Sequence, residues 1–424
     1  MQTSNLLLKS QKRRIWYFVF VMFIIPTIAV SGLSSVVGRF LTNPLVYNLL
    51  AFIFSLPVLR GFNKKYENLG GVVFSVALVV LYVLATFLRT VSETSFFATL
   101  TVFRYSFMQV LNLFILLPFM FSLKKEEINY ALHCMFKCLI VFTLLYLSNN
   151  LVYDWMGVKG GLMESHGGVS VDRSIIGMPL FDPFWSALLV VYTILNVPNA
   201  WKYLLAVIFT LIISFTRNLL FSTIIVVTVV LFIAVGKNVR YLGRGIKVIL
   251  WVLGGIAILG LIMPESIDFW MAKLASTFGE DLKYDMGTLA FRERLIEDAS
   301  YAIQHDPMFG LGYIRDVDKG EYSMVMGGDT YIAPILYCEG WLGLVLRTIP
   351  FLVLGISSLK CALNESRINW ADWIVIACIV ASSVNYIQTK ALTDYPLILG
   401  LLILIKIKER YDRKTQDFGN YSIL

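Results

Sequence analysis

Long apolar runs separated by short charged clusters recur along the whole chain, and they restrict its fold more than any other feature. A helix needs roughly 20 residues to cross the hydrocarbon core of a bilayer. Twelve runs approach that length, at about 15–32, 45–60, 71–89, 96–122, 127–150, 182–198, 200–216, 218–236, 246–264, 330–358, 371–389 and 395–409. Only 15% of the 424 residues are charged, where a soluble domain carries about a quarter. The expected fold is all-α: one polytopic membrane domain over 1–424 with about twelve transmembrane helices. The basic stretch "KSQKRR" before the first run looks like the start of a signal peptide, but no small-residue cleavage site follows it. That run is expected to stay as the first helix.

The formal net charge of +8 would suit a nucleic-acid partner, but its placement argues against one. The cations fall in short clusters between apolar runs, as cytoplasmic loops place them. With the N-terminus inside, Lys12, Arg13, Arg14, Arg60, Lys64, Lys65, Lys124, Lys125, Lys237, Arg240, Arg244, Lys247, Lys360 and Arg367 all reach the inner face, as does the tail "KIKERYDRK". An even number of spans then returns both termini to the cytoplasm. Five cysteines lie in or beside the runs, and the chain has three histidines, so neither a disulfide framework nor a metal-ligand spacing is present.

Two outward segments remain. The first, 151–181, is polar and glycine-rich; the second, 265–329, is the largest hydrophilic part of the chain. Within the second, "ESIDFWMAKLAST" and "FRERLIEDASYAIQHDP" both carry apolar residues at helical spacing. In the latter the stripe is Phe291, Leu295, Ala299 and Ala302, and Pro307 marks the end. These read as amphipathic helices lying over the bundle.

Arginine placement is the strongest functional signal. The run "LIISFTRNLLFSTII" sets Arg217 among apolar residues. Residues 200–236 as one helix would be roughly 55 Å long at 1.5 Å per residue, too long for one span. The chain is therefore expected to fold back near Thr216-Arg217-Asn218, leaving Arg217 at the outer rim. An ionisable residue at membrane depth is a functional candidate by default. Arg292 lies on the row of Ile296, Ala299 and Ile303 with no acid at i+3 or i+4, so it is free for an external anion. Arg294 has Glu297 and Asp298 at those positions, the spacing of a surface ion pair. Arg104 and Arg347 interrupt apolar runs and either pair with acids or line a polar cavity; Lys137 either snorkels or serves a role there. His305 beside Pro307 reads as a surface turn residue.

These residues carry a resemblance. "SFTRNLLFSTIIV" is similar to the Ser-x-Arg-Gly/Asn motif that opens a membrane helix in the bacterial O-antigen polymerase and O-antigen ligase superfamily. "FRERLIEDASYAIQHDPMFGLGYI" resembles that family's arginine-led helix ending in Pro-x-x-Gly-x-Gly, with Arg292, Pro307, Gly310 and Gly312 in register. "GGDTYIAPILYCEGWLGL" resembles its His-Asn-x-x-Leu…Glu-x-Gly-x-x-Gly segment, and "DRSIIGMPLFDPFWSALL" a weaker Arg-x-x-Gly…Pro-Asn segment through Arg173, Gly177 and Pro183. The four run in family order across roughly 165–345. Aligned on Gly340 and Gly343, Asp329 stands where the ligases carry a histidine and Thr330 where Asn would stand, which favours a polymerase.

The resemblance implies a membrane-embedded glycosyltransferase of the C type, without metal, nucleotide sugar or other cofactor. It would join oligosaccharide repeats carried on undecaprenyl pyrophosphate, outside the bacterial cytoplasmic membrane. A ligase moving glycan to lipid A core or another acceptor, or a flippase of lipid-linked glycan, are the alternatives. A chain-length regulator and a repeat-unit flippase of the same pathway would be its partners, besides donor, acceptor and lipid bilayer. Breaking a sugar–pyrophosphate bond without a metal calls for guanidinium forks on the departing anion; Arg217, Arg292 and Arg173 are the candidates. A base for the attacking hydroxyl would come from Asp329, Glu339, Asp172, Glu164 or His166, with Asp329 and Glu339 the catalytic candidates retained. Asp329 could equally serve as a helix N-cap in "GGDTYIAP". His166, Asp172, Arg294, Arg315 and Tyr331 are expected to line the substrate cavity.

Overall fold

The computed structural model describes residues 7–30, 69–156, 163–166, 169–172, 183–195, 199–213, 217–237, 288–314, 332–364, 369–384 and 395–416, with isolated positions between them. Nearly every described segment is helical. The first run forms α1 (Lys9–Val19), a π-helical turn (Phe20–Ile24) and α2 (Ile25–Val30). The wide turn ends two residues before Pro26, whose missing N–H would break a regular ladder at that point. Then follow α3 (Gly70–Glu93), α4 (Phe96–Ser122) and α5 (Lys125–Met156).

A short antiparallel hairpin, β1 (Met163–His166) with β2 (Val169–Asp172), interrupts the helices, pairing Glu164 with Val171 and His166 with Val169. After it come α6 (Pro183–Ile194), α7 (Ala200–Ile213), α8 (Arg217–Lys237), α9 (Thr288–Ala302), α10 (Ile332–Asn364), α11 (Trp370–Val384) and α12 (Tyr395–Gln416). Among the described residues, three helices are long and apolar enough to cross a membrane: Gly70–Glu93, Lys125–Tyr146 and Ile332–Asn364. Of the twelve apolar runs, 45–60 and 246–264 lie largely outside the described residues, as does the amphipathic stretch "ESIDFWMAKLAST".

The helix expected to be cut near Arg217 is two helices. Ile213 ends α7 and Arg217 opens α8. Ser186, in the first turn of α6, lies 3.1 Å from the Thr223 hydroxyl, in the second turn of α8. Both helices therefore start at the same end of the bundle, and α7 packs alongside α6 between them in sequence. A helix running straight on from α7 would leave α6 behind. The chain folds back, and Arg217 sits at the turn.

At the centre lies α12, against α4, α5, α6 and α11. Its residues Leu397 through Ile407 are buried on every side, as a helix apolar all round requires. Gly400 lets Met22 and Leu113 close onto it, since a side chain there would collide with Met22. Two of the tail cations, Lys406 and Lys408, are buried too: Lys406 bonds Asp372 on α11 and Glu409, whose other oxygen accepts from Asn369 at 2.5 Å.

The two ends of the bundle are distinct. Arg14 near the start of α1 donates to Ser122 at the end of α4 at 2.8 Å, beside Lys124 and Lys125. At the other end the last turns of α3 hold Arg89 and Thr90 against residues 306–313. Helix α10 runs antiparallel to α3: Tyr82 meets Glu339, and Gly71 meets Val353. The end of α10 and the Lys406–Asp372 cluster therefore share the end that carries Arg14. Lys12, Arg13, Arg14, Lys124, Lys125 and Lys360 gather there, opposite the docked loop.

Candidate functional site

The site grows from one break in a helix. Along α10 every residue is helical except Gly340, whose φ of 66° and ψ of −169° split it after Glu339. Splitting a helix orphans carbonyls on one side and N–H groups on the other. Here the loop following α9 takes both sets. Leu311 and Gly312 donate to the carbonyls of Tyr337 and Cys338 at 2.8 and 2.9 Å. In return Trp341 and Leu342 donate to the carbonyls of Pro307 and Met308 at 3.0 and 3.1 Å.

This mutual clasp explains the glycines. Gly310 and Gly340 both have φ of 66°, a region disfavoured for residues with a Cβ. A Cβ on Gly310 would stand 2.6 Å from the amide nitrogen of Gly340. Gly312, at φ 83°, lies against the Thr90 hydroxyl, and Gly343 leaves room for the Glu339 side chain folded over it. The segments Pro307–Gly312 and Glu339–Gly343 are thus two halves of one packed unit.

Polar side chains lock the unit to α3. Arg89 donates to the carbonyls of Phe309 and Gly310 at 3.0 and 2.8 Å and lies 3.3 Å from the Asp306 carboxylate. The Thr90 hydroxyl accepts the Tyr313 N–H at 3.0 Å. The Tyr313 hydroxyl donates to Oε1 of Glu339 at 2.7 Å, and its ring stands edge-on to Phe103. Burial pushes the Tyr313 phenol well above its usual value of 10.0, and the Glu339 carboxylate adds to the shift.

Glu339 is fully buried, and Arg347 grips it with two bonds, Nε to Oε2 at 2.8 Å and a terminal nitrogen to Oε1 at 2.5 Å. The Tyr82 hydroxyl takes the Glu339 carbonyl at 2.5 Å. This corrects the expectation that Glu339 is a base. A carboxylate with both oxygens bonded and no exposed surface reaches no hydroxyl of a substrate; it holds the break in shape. The same bond settles Arg347, one of the two arginines interrupting apolar runs, as an acid partner.

The other expected site residues divide by location. Arg217 opens α8, and Arg292 lies in α9 one turn before Ile296; both belong to described helices, but their side chains lie outside the description. Of the expected α9 stripe, Leu295 and Ala299 are buried and Ala302 half-buried, while the Phe291 side chain lies outside the description; Ile303, from the Arg292 row, is buried as well, and α9 packs on α10. Arg294 is exposed and forms no ion pair with Glu297 or Asp298 among the described residues. Exposed pairs at this spacing gain too little in water to hold two long side chains together. His305 is an exposed turn residue, as read from the sequence, and Lys137 is exposed.

Glu164, His166 and Asp172 sit on the β1–β2 hairpin. Arg173, Arg315, Asp329 and Tyr331 lie outside the described residues, and the Arg104 side chain does too. The described groups that build the clasp but escaped sequence reasoning are Arg89, Thr90, Tyr82 and Tyr313. The available signal was Arg89, a lone cation closing an apolar run at the end opposite the cation clusters. Among the described residues no group of three metal-ligating side chains occurs. No protein-family profile and no curated protein matches the chain.

Proposed function

We propose that this chain is a membrane-embedded glycosyltransferase that polymerises oligosaccharide repeats carried on a polyprenyl pyrophosphate, the repeats of a bacterial surface polysaccharide. In this reading twelve spans return both termini to the cytoplasm, and the loop clasped on α10 faces outward. The reading is supported by one observation above others. The two glycine motifs that the resemblance sets side by side are a single hydrogen-bonded unit, which accounts for every glycine in both. That unit ends α9, the helix bearing Arg292, and leads on toward Arg315 and Asp329.

The chemistry follows from the groups available. The departing pyrophosphate gains negative charge as the glycosidic bond breaks, and Arg217, Arg292 and Arg173 supply planar donors for its oxygens. The base for the attacking hydroxyl is Asp329 in this reading, with Glu164, His166 and Asp172 on the outward hairpin as further candidates. Glu339 and Arg347 act as framework. The test uses membranes carrying Arg217→Ala or Arg292→Ala at wild-type protein levels. Both are expected to lose polymer and keep single lipid-linked repeats. Full-length polymer from both variants would overturn the assignment, and so would failure of the wild-type protein to build ladders from purified lipid-linked repeats alone.

A further inference from the structure

The clasped loop turns large apolar side chains outward where a water-facing loop would hide them. Met308 is 52% exposed and Phe309 47%. Backbone bonds fix what lies around them. Leu342 donates to the Met308 carbonyl, which puts the loop beside Trp341, itself 47% exposed. Arg89 donates to the Phe309 carbonyl, which ties the loop to the last turns of α3, where Leu88 is 65% exposed. Four exposed large apolar side chains from three segments therefore surround the clasp at one end of the bundle. Isolated exposed apolar residues need no explanation, but a contiguous patch does.

The patch continues along the helices below it. Leu81, Leu84 and Leu88 stand exposed on one face of α3, and Val345, Leu352 and Ile356 stand exposed on α10. These are two of the helices long and apolar enough to cross a membrane, and their outer faces are the ones lipid must cover. The loop forms the head of that surface, with a tryptophan at its margin and the half-exposed Arg89–Asp306 pair beside it. Tryptophan and a charge next to apolar residues is the composition of the layer between headgroups and acyl chains.

We infer that the turn from Asp306 to Gly310 is an interfacial anchor whose occupant is the bilayer: Met308 and Phe309 enter the acyl–headgroup boundary next to Trp341 and Leu88. The anchor fixes the height of α9 above the membrane, because the same turn follows that helix closely and is bonded to α10 on one side and α3 on the other. The inference depends on the spans being lipid-covered and not on the glycan chemistry, so it stands or falls separately from the proposed activity.

The test places single spin labels on the full-length protein in phosphatidylethanolamine–phosphatidylglycerol vesicles, with the half-buried Cys138 and Cys361 replaced by serine. Labels go on Met308→Cys and Phe309→Cys, on Gln304→Cys and His305→Cys from the exposed part of the same loop, and on Leu81→Cys within the span. All five side chains are exposed and none is used in the clasp, so the fold is preserved. Collision with oxygen is expected to exceed collision with a polar nickel chelate several-fold at 308 and 309, approaching position 81, and the order is expected to reverse at 304 and 305. Equal, water-like behaviour at all four loop positions would overturn the inference. So would protection of 308 and 309 from both reagents, which would mean that a second copy or another protein covers them.

Discussion

The bond between Glu339 and Arg347 offers the sharpest quantitative test of the clasp. Both side chains are essentially buried, 0% and 3% exposed, and two bonds join them. In Glu339→Gln the amide oxygen still accepts from Tyr313, so that bond survives, but Arg347 loses the buried carboxylate it grips with two bonds. In Arg347→Met the stem packing survives and the carboxylate is stranded. Removing one partner of a buried pair costs about 3–5 kcal/mol, because the remaining charge has no water to return to. The double variant removes both charges, keeps the Tyr313 bond and fills the volume; such exchanges are often close to neutral. Unfolding free energies from reversible detergent titration, followed by circular dichroism, give all four corners of the cycle. Each single change is expected to cost about 3–5 kcal/mol, and the double change less than either. Losses that simply add, or single losses below about 1 kcal/mol as for an exposed pair, would refute the reading of this pair as the clasp's lock.

Gly310→Ala and Gly340→Ala each force a Cβ into the opposing backbone at a positive φ, and strained residues of that kind cost of order 1–3 kcal/mol before any clash. Both are expected to open the loop to protease near 308–312, whereas Gly70→Ala, with nothing within 4 Å of the added methyl, leaves digestion unchanged. Arg89→Ala removes two bonds to loop carbonyls as well as the Asp306 pair; bonds to a charged donor contribute about 1.5–3 kcal/mol each at most. Faster hydrogen exchange at Phe309–Gly312 is the expected result, with unchanged exchange there counting against a positioning role. Tyr313 sets a pH limit. Its phenol ionises well above 10.0 when folded, so above that pH the unfolded chain loses a proton that the folded one keeps. Stability is therefore fully present below about pH 10 and falls as pH rises, by up to about 1.4 kcal/mol per pH unit for this group. Wild-type protein should show a steeper alkaline decline than Tyr313→Phe; parallel curves would refute the assignment.

Hydrophobic periodicity carried the helices well because lipid-sized apolar runs have few other ways to satisfy their backbone. The break after Ile213 followed from length alone: 37 residues of helix do not fit one bilayer thickness. The stripe through Leu295 and Ala299 was equally legible, since burial of one helix face writes itself at a 3.6-residue period. The break at Gly340 was not. Residues 330–358 read as one apolar run, and a glycine inside a helix pattern does not announce a positive φ. What splits α10 is its partner, a loop from 30 residues earlier that supplies carbonyls and N–H groups at the split. Glu339 misled for a related reason: a lone acid in an apolar run looks like chemistry until its partner is located, and Arg347 lies two turns on, past the break. Arg89, Thr90 and Tyr313 act through contacts more than 200 residues apart in sequence, or across the break, and no local pattern marks them.

Lipid-facing helices gain little from burying apolar surface against each other, because acyl chains are as apolar as leucine. The 33 residues of α10 could slide along α3 or α11 at modest cost if oily contact were all that held them. What forbids sliding here is steric and polar. Tyr82 and Gly71 on α3 fix the register at two depths, through the Glu339 carbonyl and through Val353. The Glu339–Arg347–Tyr313 cluster pins one end, and the Lys406–Asp372–Glu409–Asn369 cluster pins α11 against α12 at the other. Buried ion pairs add little net stability over apolar packing, so their contribution here is one of register. A helix one turn out of register would strand the Glu339 carboxylate away from Tyr313 and its carbonyl away from Tyr82, and leave Pro307 and Met308 facing the wrong N–H groups. The charges therefore select the one alignment in which the loop after α9 can close on the broken helix, and the position of Arg292 follows from that alignment.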